Sequence, residues 1–426
     1  MKDSLYQSAR ALRNPSFNGI YRDLQESDFS SIDTLRSLQL EKLNKLIYHA
    51  KKTSLFYAKR LANLGGELQC LTEIAKLPII EKRDLIEFNS AVHSQAKFKR
   101  LFFSETSGST GQTLTFFKDE IWDSANRASI ERGYSWHGVK SADRNVYFWG
   151  FNFSKSRRVQ TRVLDFLQNR RRCFSYRKEE LRGVIENLRG AKYLHGYSSM
   201  LYVAAKEARS MGYGPSDFPS LHFIKGTSER IYPYYHQAVK DAFGGVIRSE
   251  YGAAEAGIIA FECPEGKMHV NMENCIVEID DHNDILVTNL NSYSFPILRY
   301  RLGDHVQILR NGKCRCGRHT DIVVDVVGRS GGLIYGKQNR YPSLTIYYIL
   351  KTLYFDFNLS LSLQFIQRHK GELTVCSEQV LSNGDREAID SQMRLYFKKD
   401  LTWKVVEGKP LLRDGKLRDF LSEIDY

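Results

Sequence analysis

The sequence lacks any hydrophobic run long enough to cross a membrane. None of its 426 residues lies in an apolar stretch near the roughly 18–20 residues that a transmembrane helix needs. The first residues, Met1 to Gln7, have no apolar core of signal-peptide length. Low-complexity tracts and internal repeats are absent too. These absences exclude membrane insertion and predict a folded, soluble, cytoplasmic protein.

The sequence also lacks the paired cysteines of a secreted disulfide scaffold. Its seven cysteines are an odd number, and they are scattered over a long chain. Disulfide frameworks occur in short secreted domains with an even cysteine count. The cysteines therefore indicate reduced thiols or a metal site.

Acidic residues are in deficit, because 62 Lys and Arg face 49 Asp and Glu, for a net charge of +13. The densest basic cluster, Arg170 to Arg172 with Arg177 and Lys178, encloses Phe174 and Tyr176 but lacks the aromatic motif of an RNA-binding platform. The pattern argues against a nucleic-acid partner. Two interpretations stay open: a solvated basic face, or attraction of anionic substrates such as ATP or an acidic carrier.

A chain of this length predicts two or three domains. Helical spacing covers residues 33–64, and strands alternate with helices from about 145 to 248, which predicts crossover units and a parallel sheet. Short strands with turns follow from about 258 to 327 and predict an antiparallel region. The expected fold is α/β, with an N-terminal domain over 1–328 and a small α+β lid domain over 329–426. The glycine-rich stretch at 328–332 is the expected hinge.

The strongest chemical signal is the loop Thr106-Ser107-Gly108-Ser109-Thr110-Gly111, which follows the apolar stretch Leu101 to Phe103. Such small residues cannot fill a core. Glycine lets the main chain approach an anion closely, so that backbone N–H groups and hydroxyls can bind it. The loop predicts binding of nucleotide phosphates.

This loop is not a Walker loop, because the glycine-lysine-hydroxyl ending is missing. A near match lies at Gly331 to Gln338, where Gln338 replaces the magnesium-binding hydroxyl. We interpret that stretch as a coincidental match.

Three further motifs carry chemical groups. Glu255, in Glu250 to Glu255 after a predicted strand, could bind Mg²⁺. Asp304, in Tyr300 to Asp304, could accept hydrogen bonds from ribose hydroxyls. Lys416, in Asp414 to Arg418, could approach a phosphoryl group as a point charge. Each motif taken alone also fits an ordinary surface loop, turn aspartate or solvent-facing lysine.

In this order, the motifs resemble those of the adenylate-forming superfamily of acyl-CoA synthetases. The chain is most similar to the phenylacetate–CoA ligase branch, which includes CapK-type proteins of polysaccharide gene clusters. The resemblance extends from about residue 75 to the end of the chain. It implies ATP and Mg²⁺ as cofactors and a small carboxylic acid as substrate.

The resemblance also implies roles for individual residues. The implied catalytic residues are Thr110, Glu255, which also binds Mg²⁺, and Lys416, which approaches the α-phosphate. The implied nucleotide-binding residues are Ser107, Gly108, Ser109 and Gly111 for the phosphates, the turn with Gly226 and Ser228 together with Tyr251 for the adenine, and Asp304 and Arg329 for the ribose. The implied acyl pocket includes Trp149, His195 and Tyr197, although aromatic residues in apolar runs are commonly core.

Two positions depart from the family pattern. Gln112 stands where a lysine usually follows the last glycine of the loop, which removes a cation from the phosphate site. Ser330, Gly331 and Gly332 replace the aspartates that usually follow Gly-Arg at the hinge.

Cys263 and His269 lie in one predicted turn region, and Cys314 and Cys316 lie in another. Three thiolates and an imidazole form a suitable tetrahedral zinc set, and His319 is a spare candidate ligand. Some proteins of the branch carry zinc in such a place. The alternative is that these are unrelated residues of polar loops.

The sequence thus predicts an ATP-dependent ligase that forms an acyl-adenylate and transfers the acyl group to CoA or to an amine, such as an amino sugar. The alternative is a non-catalytic protein that binds nucleotides or polyanions through its basic face.

Overall fold

The computed structural model describes residues 2–106, 113–148, 155–174, 177–229, 231, 233–281, 284–327, 333–343, 345–359, 361, 363–408, 411–413, 416–417 and 419–424. The chain divides into two units. Unit 1 comprises Met1–Thr106, Leu114–Asp143 and Arg248–Arg329, and unit 2 comprises Ser107–Thr113, Arg144–Ile247 and Ser330–Tyr426.

The N-terminal part of unit 1 is helical. Its helices are α1 (Lys2–Arg13), α2 (Phe17–Glu26), α3 (Ile32–Thr53), α4 (Leu55–Arg60), α5 (Lys82–Glu87) and α6 (Asn89–Val92), with a 3₁₀ turn at Leu71–Lys76. The helix predicted over 33–64 is interrupted at Ser54, whose side chain caps α4 by accepting the Tyr57 N–H. Apolar residues of α3 and α4 pack into a core with Phe116, Trp122 and Phe295.

The predicted phosphate loop is flanked by a hairpin of β1 (Leu101–Glu105) and β2 (Thr115–Asp119). The antiparallel register pairs Glu105 with Thr115. Asp119 then caps α7 (Glu120–Ser135), because its carboxylate accepts the Trp122 N–H at 3.1 Å. The hairpin therefore holds both ends of the loop and leads directly into a helix of unit 1.

The rest of unit 1 is the predicted antiparallel region. The strands are β7 (Ile247–Ala253), β8 (Gly257–Glu262), β9 (Met268–Val270), β10 (Cys275–Ile279), β11 (Asp284–Asn289), β12 (Tyr300–Leu309) and β13 (Ile322–Val327). They form a sheet in the order β10-β11-β12-β13-β9-β8-β7. Many of their buried apolar residues, including Tyr251 and Cys275, form one core, while Ile276 and Tyr300 pack into the core of the N-terminal helices.

The first part of unit 2 contains the predicted parallel sheet. Its elements are β3 (Asn145–Phe148), α8 (Lys155–Leu167), β4 (Arg170–Arg172), α9 (Lys178–Ile185), β5 (Tyr193–Tyr197), α10 (Ser198–Ser210), a 3₁₀ turn (Pro215–Asp217), β6 (Phe223–Thr227) and α11 (Pro233–Phe243). The strands pair in parallel in the order β4-β3-β5-β6. This alternation of strands and helices confirms the crossover pattern predicted from the sequence.

The C-terminal part of unit 2 has both helices and strands, as predicted. Its elements are β14 (Leu333–Tyr335), β15 (Arg340–Pro342), α12 (Thr345–Phe357), β16 (Leu363–Gln367), β17 (Glu372–Ser377), α13 (Asn383–Phe397), β18 (Thr402–Glu407), β19 (Leu412–Arg413), β20 (Lys416–Leu417) and β21 (Phe420–Ser422). Its apolar residues share a core with α9, α10 and α11. The whole is a mixed α/β fold. None of its described helices combines the length and the apolar character that a bilayer-spanning helix requires.

Candidate active site and metal centre

Glu255 is a buried carboxylate in the turn between β7 and β8. The Tyr300 hydroxyl donates a hydrogen bond to its Oε1 at 3.0 Å, and Asn289 Nδ2 donates to its backbone oxygen at 3.0 Å. Burial raises the pKa of Glu255, while the charges of Lys82 and Lys118 act in the opposite direction. The carboxylate is thus fixed in position by its neighbours and stands in a field of positive charge.

Tyr251 and Asp304 are brought together by neighbouring parts of the same unit. The buried Tyr251 hydroxyl donates to Asp304 Oδ2 at 3.0 Å. Asp304 follows Gly303, whose φ of +86° lies in the left-handed region that favours glycine. The register of β11 against β12 shifts at this level, so the glycine accommodates a bulge. The bulge sets the point at which Asp304 leaves the strand.

Strand β12 contributes a residue both to the surroundings of Glu255 and to the pair formed by Tyr251 and Asp304. Its first residue, Tyr300, contacts Glu255, and its Asp304 contacts Tyr251. The backbone at Tyr300 is fixed further, because the N–H of Arg301 donates to Ile80 O at 3.0 Å. Sequence reasoning missed the part played by Tyr300, although it quoted the residue within the motif. It missed Asn289 altogether, since no local pattern marks that position.

Several predicted site residues cannot be placed. The loop residues Ser107, Gly108, Ser109, Thr110 and Gly111, together with Gln112, lie outside the described residues, as do Arg329 and Trp149. Lys416 lies at the start of β20, where its backbone pairs with Arg413 in an antiparallel hairpin. The roles assigned to these residues stay predictions.

The predicted adenine-binding turn follows β6 in unit 2. A Cβ on Gly226 would lie 2.5 Å from Ser198 Oγ and 2.7 Å from an Ile247 methyl carbon, so this glycine is needed for packing. Ser228 has a φ of +66°. The buried Glu229 carboxylate accepts the Ser199 N–H at 2.8 Å, near the start of α10. Burial raises the pKa of Glu229 to about 7.

The predicted acyl-pocket residues His195 and Tyr197 lie on β5 and are buried. The His195 ring stacks on Tyr147 at 4.3 Å between centroids, and its Nε2 lies 3.1 Å from Asn145 Oδ1. Burial and nearby positive charges lower the pKa of His195 well below its usual value, so the imidazole is neutral. The Tyr197 hydroxyl lies 2.8 Å from that of Tyr348 on α12.

The described part of the near match to a Walker loop, Leu333 to Gln338, comprises β14 and the start of the turn that leads to β15. The Asp400 carboxylate accepts the backbone N–H groups of Gln338 and Asn339 at 2.8 Å and 3.1 Å. A Cβ on Gly336 would collide with the same carboxylate. The backbone amides at Gln338 and Asn339 are already bound to an anion of the protein itself. This arrangement confirms the interpretation that the match is coincidental.

The predicted zinc ligands come together at one end of the unit 1 sheet. Cys263 follows β8, His269 is on β9, and the two other cysteines lie between β12 and β13. The ligand atoms of Cys263, His269, Cys314 and Cys316 all lie within 4.8 Å of one another. The Cys263 and Cys314 sulfurs are 3.7 Å apart, and Cys316 Sγ lies 3.2 Å from His269 Nε2. His319 is exposed and is not part of this cluster.

The orientation of His269 is fixed from its other side. The Thr320 hydroxyl lies 2.8 Å from His269 Nδ1, so Nε2 is directed at the cysteines. Burial lowers the pKa of His269 to about 4, which keeps the imidazole neutral. Metal-binding histidines are commonly oriented by such a hydrogen bond. Sequence reasoning missed Thr320, because no local sequence pattern links it to His269, which is distant in the chain.

Known structures resemble this one over nearly its full length. A 2-hydroxyisobutyryl-CoA ligase, solved with 2-HIB-AMP and CoA in its thioesterification state, matches with a TM-score of 0.65 and 16% identity, covering 93% of this chain and 91% of the other. An open conformation of that ligase matches with a TM-score of 0.60 and 16% identity, covering 93% of each chain. This chain has the adenylate-forming ligase fold.

Sequence comparison adds a relative that matches over most of the chain. The chain is 21% identical over 355 residues to Protein CapK of Staphylococcus aureus, covering 78% of this chain and 74% of that protein. No family model matches the sequence. The resemblance inferred from the motif order is confirmed at the level of the fold and extends to a CapK-like relative.

Proposed function

We propose that the protein is an ATP-dependent ligase that activates a carboxylic acid as its acyl-adenylate. One observation carries the proposal: β12 links both candidate groups, since its Tyr300 contacts Glu255 and its Asp304 contacts Tyr251. A metal-binding carboxylate and a ribose-binding carboxylate must lie close together to hold one nucleotide. The fold and the order of the motifs support the same conclusion.

In this proposal Glu255 would hold Mg²⁺, and Asp304 with Arg329 would hold the ribose. A hydrogen-bonded carboxylate oxygen fits the oxygen ligands that Mg²⁺ prefers. A bound magnesium ion would neutralise charge on the phosphates. The loop from Ser107 to Gly111 would donate backbone N–H groups to the same phosphates, and Tyr251 would border the adenine.

The reaction follows from this arrangement. An oxygen of the ionised substrate carboxylate attacks the α-phosphorus in line, and a new P–O bond forms. The bond between the α-phosphorus and the bridging oxygen breaks, and its electron pair leaves with pyrophosphate. Catalysis comes mainly from positioning and from charge neutralisation, to which Thr110 and Lys416 contribute.

The acyl group would then pass to an acceptor. CoA is supported by the similar ligase whose structure contains CoA and an acyl-adenylate. An amine is the second candidate acceptor, kept open by the resemblance of the motifs to CapK-type proteins of polysaccharide gene clusters. Residues 329–426 would act as a lid that rotates about the region near Arg329 between the two half-reactions.

The cysteine cluster would hold a structural Zn²⁺. A tetrahedral site with Zn–S bonds of about 2.3 Å separates two sulfurs by roughly 3.8 Å, and the Cys263 and Cys314 sulfurs are 3.7 Å apart. Three sulfurs and one nitrogen fill the coordination sphere. A closed site of this kind stabilises loops and leaves no position for a substrate.

Pyrophosphate–ATP exchange tests the adenylation step. We expect exchange that depends on an added acid, within a panel of aliphatic, aromatic and sugar carboxylic acids. Lys416→Ala should lower the exchange rate by about 100-fold or more. Lys404→Ala is the matched control, because Lys404 is exposed and lies in the same C-terminal part. This variant should catalyse pyrophosphate–ATP exchange at the wild-type rate.

Two results would count against the proposal. One is the absence of exchange with every acid tested. The other is salt-sensitive binding of polyanions without ATP turnover, which would favour the non-catalytic alternative. Trials with CoA and with amino sugars would then identify the acceptor.

A further inference from the structure

Lys118 is a half-buried lysine that no carboxylate neutralises directly. It lies near the end of β2, and its Nζ is 5.4 Å from the Trp122 ring centroid and 5.7 Å from that of Phe116. Within the described part of the chain, no carboxylate lies at ion-pair distance from this ammonium group. Its ammonium group lies over the faces of two aromatic rings.

The Asp123 carboxylate, whose charge acts on Lys118, is already bound by other side chains. Asp123 Oδ2 accepts Arg127 Nε at 2.7 Å and Asn14 Nδ2 at 2.9 Å. The same carboxylate also forms an ion pair with Arg13. Two guanidinium groups and an amide therefore surround Asp123, and Lys118 is left outside this network.

An ammonium group in these surroundings lowers the stability of the folded protein. Burial lowers the pKa of Lys118, whereas the more distant charges of Asp123 and Glu255 raise it. An ammonium that loses part of its hydration shell without gaining an anion destabilises the folded protein. The cost is offset if an anionic ligand supplies the missing partner.

The position of Lys118 relates it to the candidate nucleotide site. Trp122, which its ammonium overlies, lines a small cavity with Ala256 and Gly257, the residues directly after Glu255. In the sequence, Lys118 is the first basic residue after the glycine-rich loop, since residues 106–117 contain neither lysine nor arginine. The hairpin register pairs Glu105 with Thr115, so the loop leaves the hairpin three residues before Lys118.

We propose that Lys118 is a phosphate-binding residue whose ammonium group contacts the polyphosphate chain of ATP beside the metal held by Glu255. The inference rests on the proposed function. As the bond to the α-phosphorus breaks, negative charge grows on the departing pyrophosphate, and Lys118 stabilises it.

Equilibrium binding tests this role without requiring turnover. Lys118→Met removes the charge but keeps an apolar stem over Trp122 and Phe116. By calorimetry, the dissociation constant for MgATP should rise about 10- to 100-fold, as expected for loss of a charge-assisted hydrogen bond. AMP lacks the β- and γ-phosphates, so its affinity should change less than about twofold. Lys118→Arg should retain most of the MgATP affinity.

Lys99→Met is the matched control, because Lys99 is exposed and precedes β1. A purely structural role for Lys118 would weaken MgATP and AMP alike, and this result would overturn the inference. Unchanged MgATP affinity in Lys118→Met would overturn it too. If Lys118→Met does not fold, Lys118→Gln gives the same comparison, with circular dichroism as the check of folding.

The two proposals fail in different ways. If the wild-type protein catalyses exchange but Lys118→Met binds MgATP normally, only the role of Lys118 is wrong. If MgATP binding depends on Lys118 but no acid supports exchange, the ligase proposal is wrong and the phosphate site stands. If the wild-type protein binds no MgATP, both are wrong.

Discussion

Glu229 shows how a single buried residue can make stability depend on pH. Its carboxylate accepts the Ser199 N–H, yet burial raises its pKa from 4.5 to about 7. In the unfolded chain the same group loses its proton near pH 4.5. Between these values the folded state binds more protons than the unfolded state, so stability falls as the pH rises. The stabilisation is complete below about pH 4.5 and is lost as the pH passes about 7.

We therefore expect Glu229→Gln to flatten this dependence. The amide oxygen can still accept the Ser199 N–H, but the group no longer titrates. Relative to wild type, the variant should gain on the order of 3 kcal/mol of unfolding free energy between pH 4.5 and pH 8. Denaturant unfolding at several pH values measures this difference.

Other titrating residues cancel when the unfolding free energy of the variant is compared with that of wild type. Burial lowers the pKa of His137 and of His269 to about 4, which makes stability rise with pH up to about 6.5. Both histidines contribute equally to the two proteins. Glu67→Gln, at an exposed position, is the control. Parallel pH profiles for Glu229→Gln and wild type would contradict the expectation.

Among the elements, α7 shows where sequence reasoning fell short. Its buried face combines small residues, such as Ala128 and Gly133, with charged side chains, and the only large apolar residues of that face are Trp122 and Tyr134, near the ends of the helix. A Cβ on Gly133 would lie 2.5 Å from the Phe261 ring, so close packing demands glycine there. Glycine and serine weaken the local helix signal. Tertiary packing, which the sequence pattern does not reveal, decides this helix.

The strands of the site were predicted better than their contacts. Short strand-like runs with turn signals indicated the region of β10, β11 and β12, and chemical motifs indicated Glu255 and Asp304. The pairing of Tyr300 with Glu255 depends on a register between distant segments, and the position of Asp304 depends on a bulge at Gly303. Local patterns carry no information about that register, which explains why the individual groups were found but not the connections between them.

The loops that carry the cysteines give a prediction for a whole element. Purified protein grown with zinc should contain one zinc ion per chain by elemental analysis. The Cys316→Ser variant should lose the metal, which destabilises the end of the sheet formed by β8, β9, β12 and β13. The free energy of unfolding should fall on the order of 4 kcal/mol. Thermal unfolding measures the loss. Adenylation should persist below the melting temperature, because the site is structural.

Cys70→Ser is the control for this substitution, since Cys70 is exposed and lies outside the cluster. Both variants lose one thiol, but only Cys316→Ser removes a proposed ligand. A wild-type protein without zinc, combined with equal stability of the two variants, would show that the cluster holds no metal.

At the scale of the whole molecule, the chain order does not follow the two units. The chain crosses between them several times, so segments distant in sequence share one unit. In particular, residues 330–426 belong with 144–247. The boundary predicted at 328/329 concerns movement of a lid and stays a prediction. Composition can suggest a hinge, but only long-range pairing reveals which segments pack together.

The contact between α12 and β5 gives a test of that movement. Tyr348 is joined to Tyr197 by a hydroxyl pair 2.8 Å apart. If residues 329–426 rotate between adenylation and acyl transfer, this hydrogen bond exists in one state and breaks in the other. Tyr348→Phe removes it and destabilises one state by about 1 kcal/mol, which shifts the balance roughly fivefold.

We expect the two half-reactions of Tyr348→Phe to change in opposite directions, with pyrophosphate exchange and acyl transfer measured separately. Tyr396→Phe is the matched control, because Tyr396 interacts with Thr352 inside the C-terminal part itself. That variant should leave the ratio of the two rates unchanged. An equal fall in both rates of Tyr348→Phe would indicate general loss of structure. Unchanged rates would mean that the hydrogen bond persists throughout the cycle, and the lid would then have to move about a different boundary.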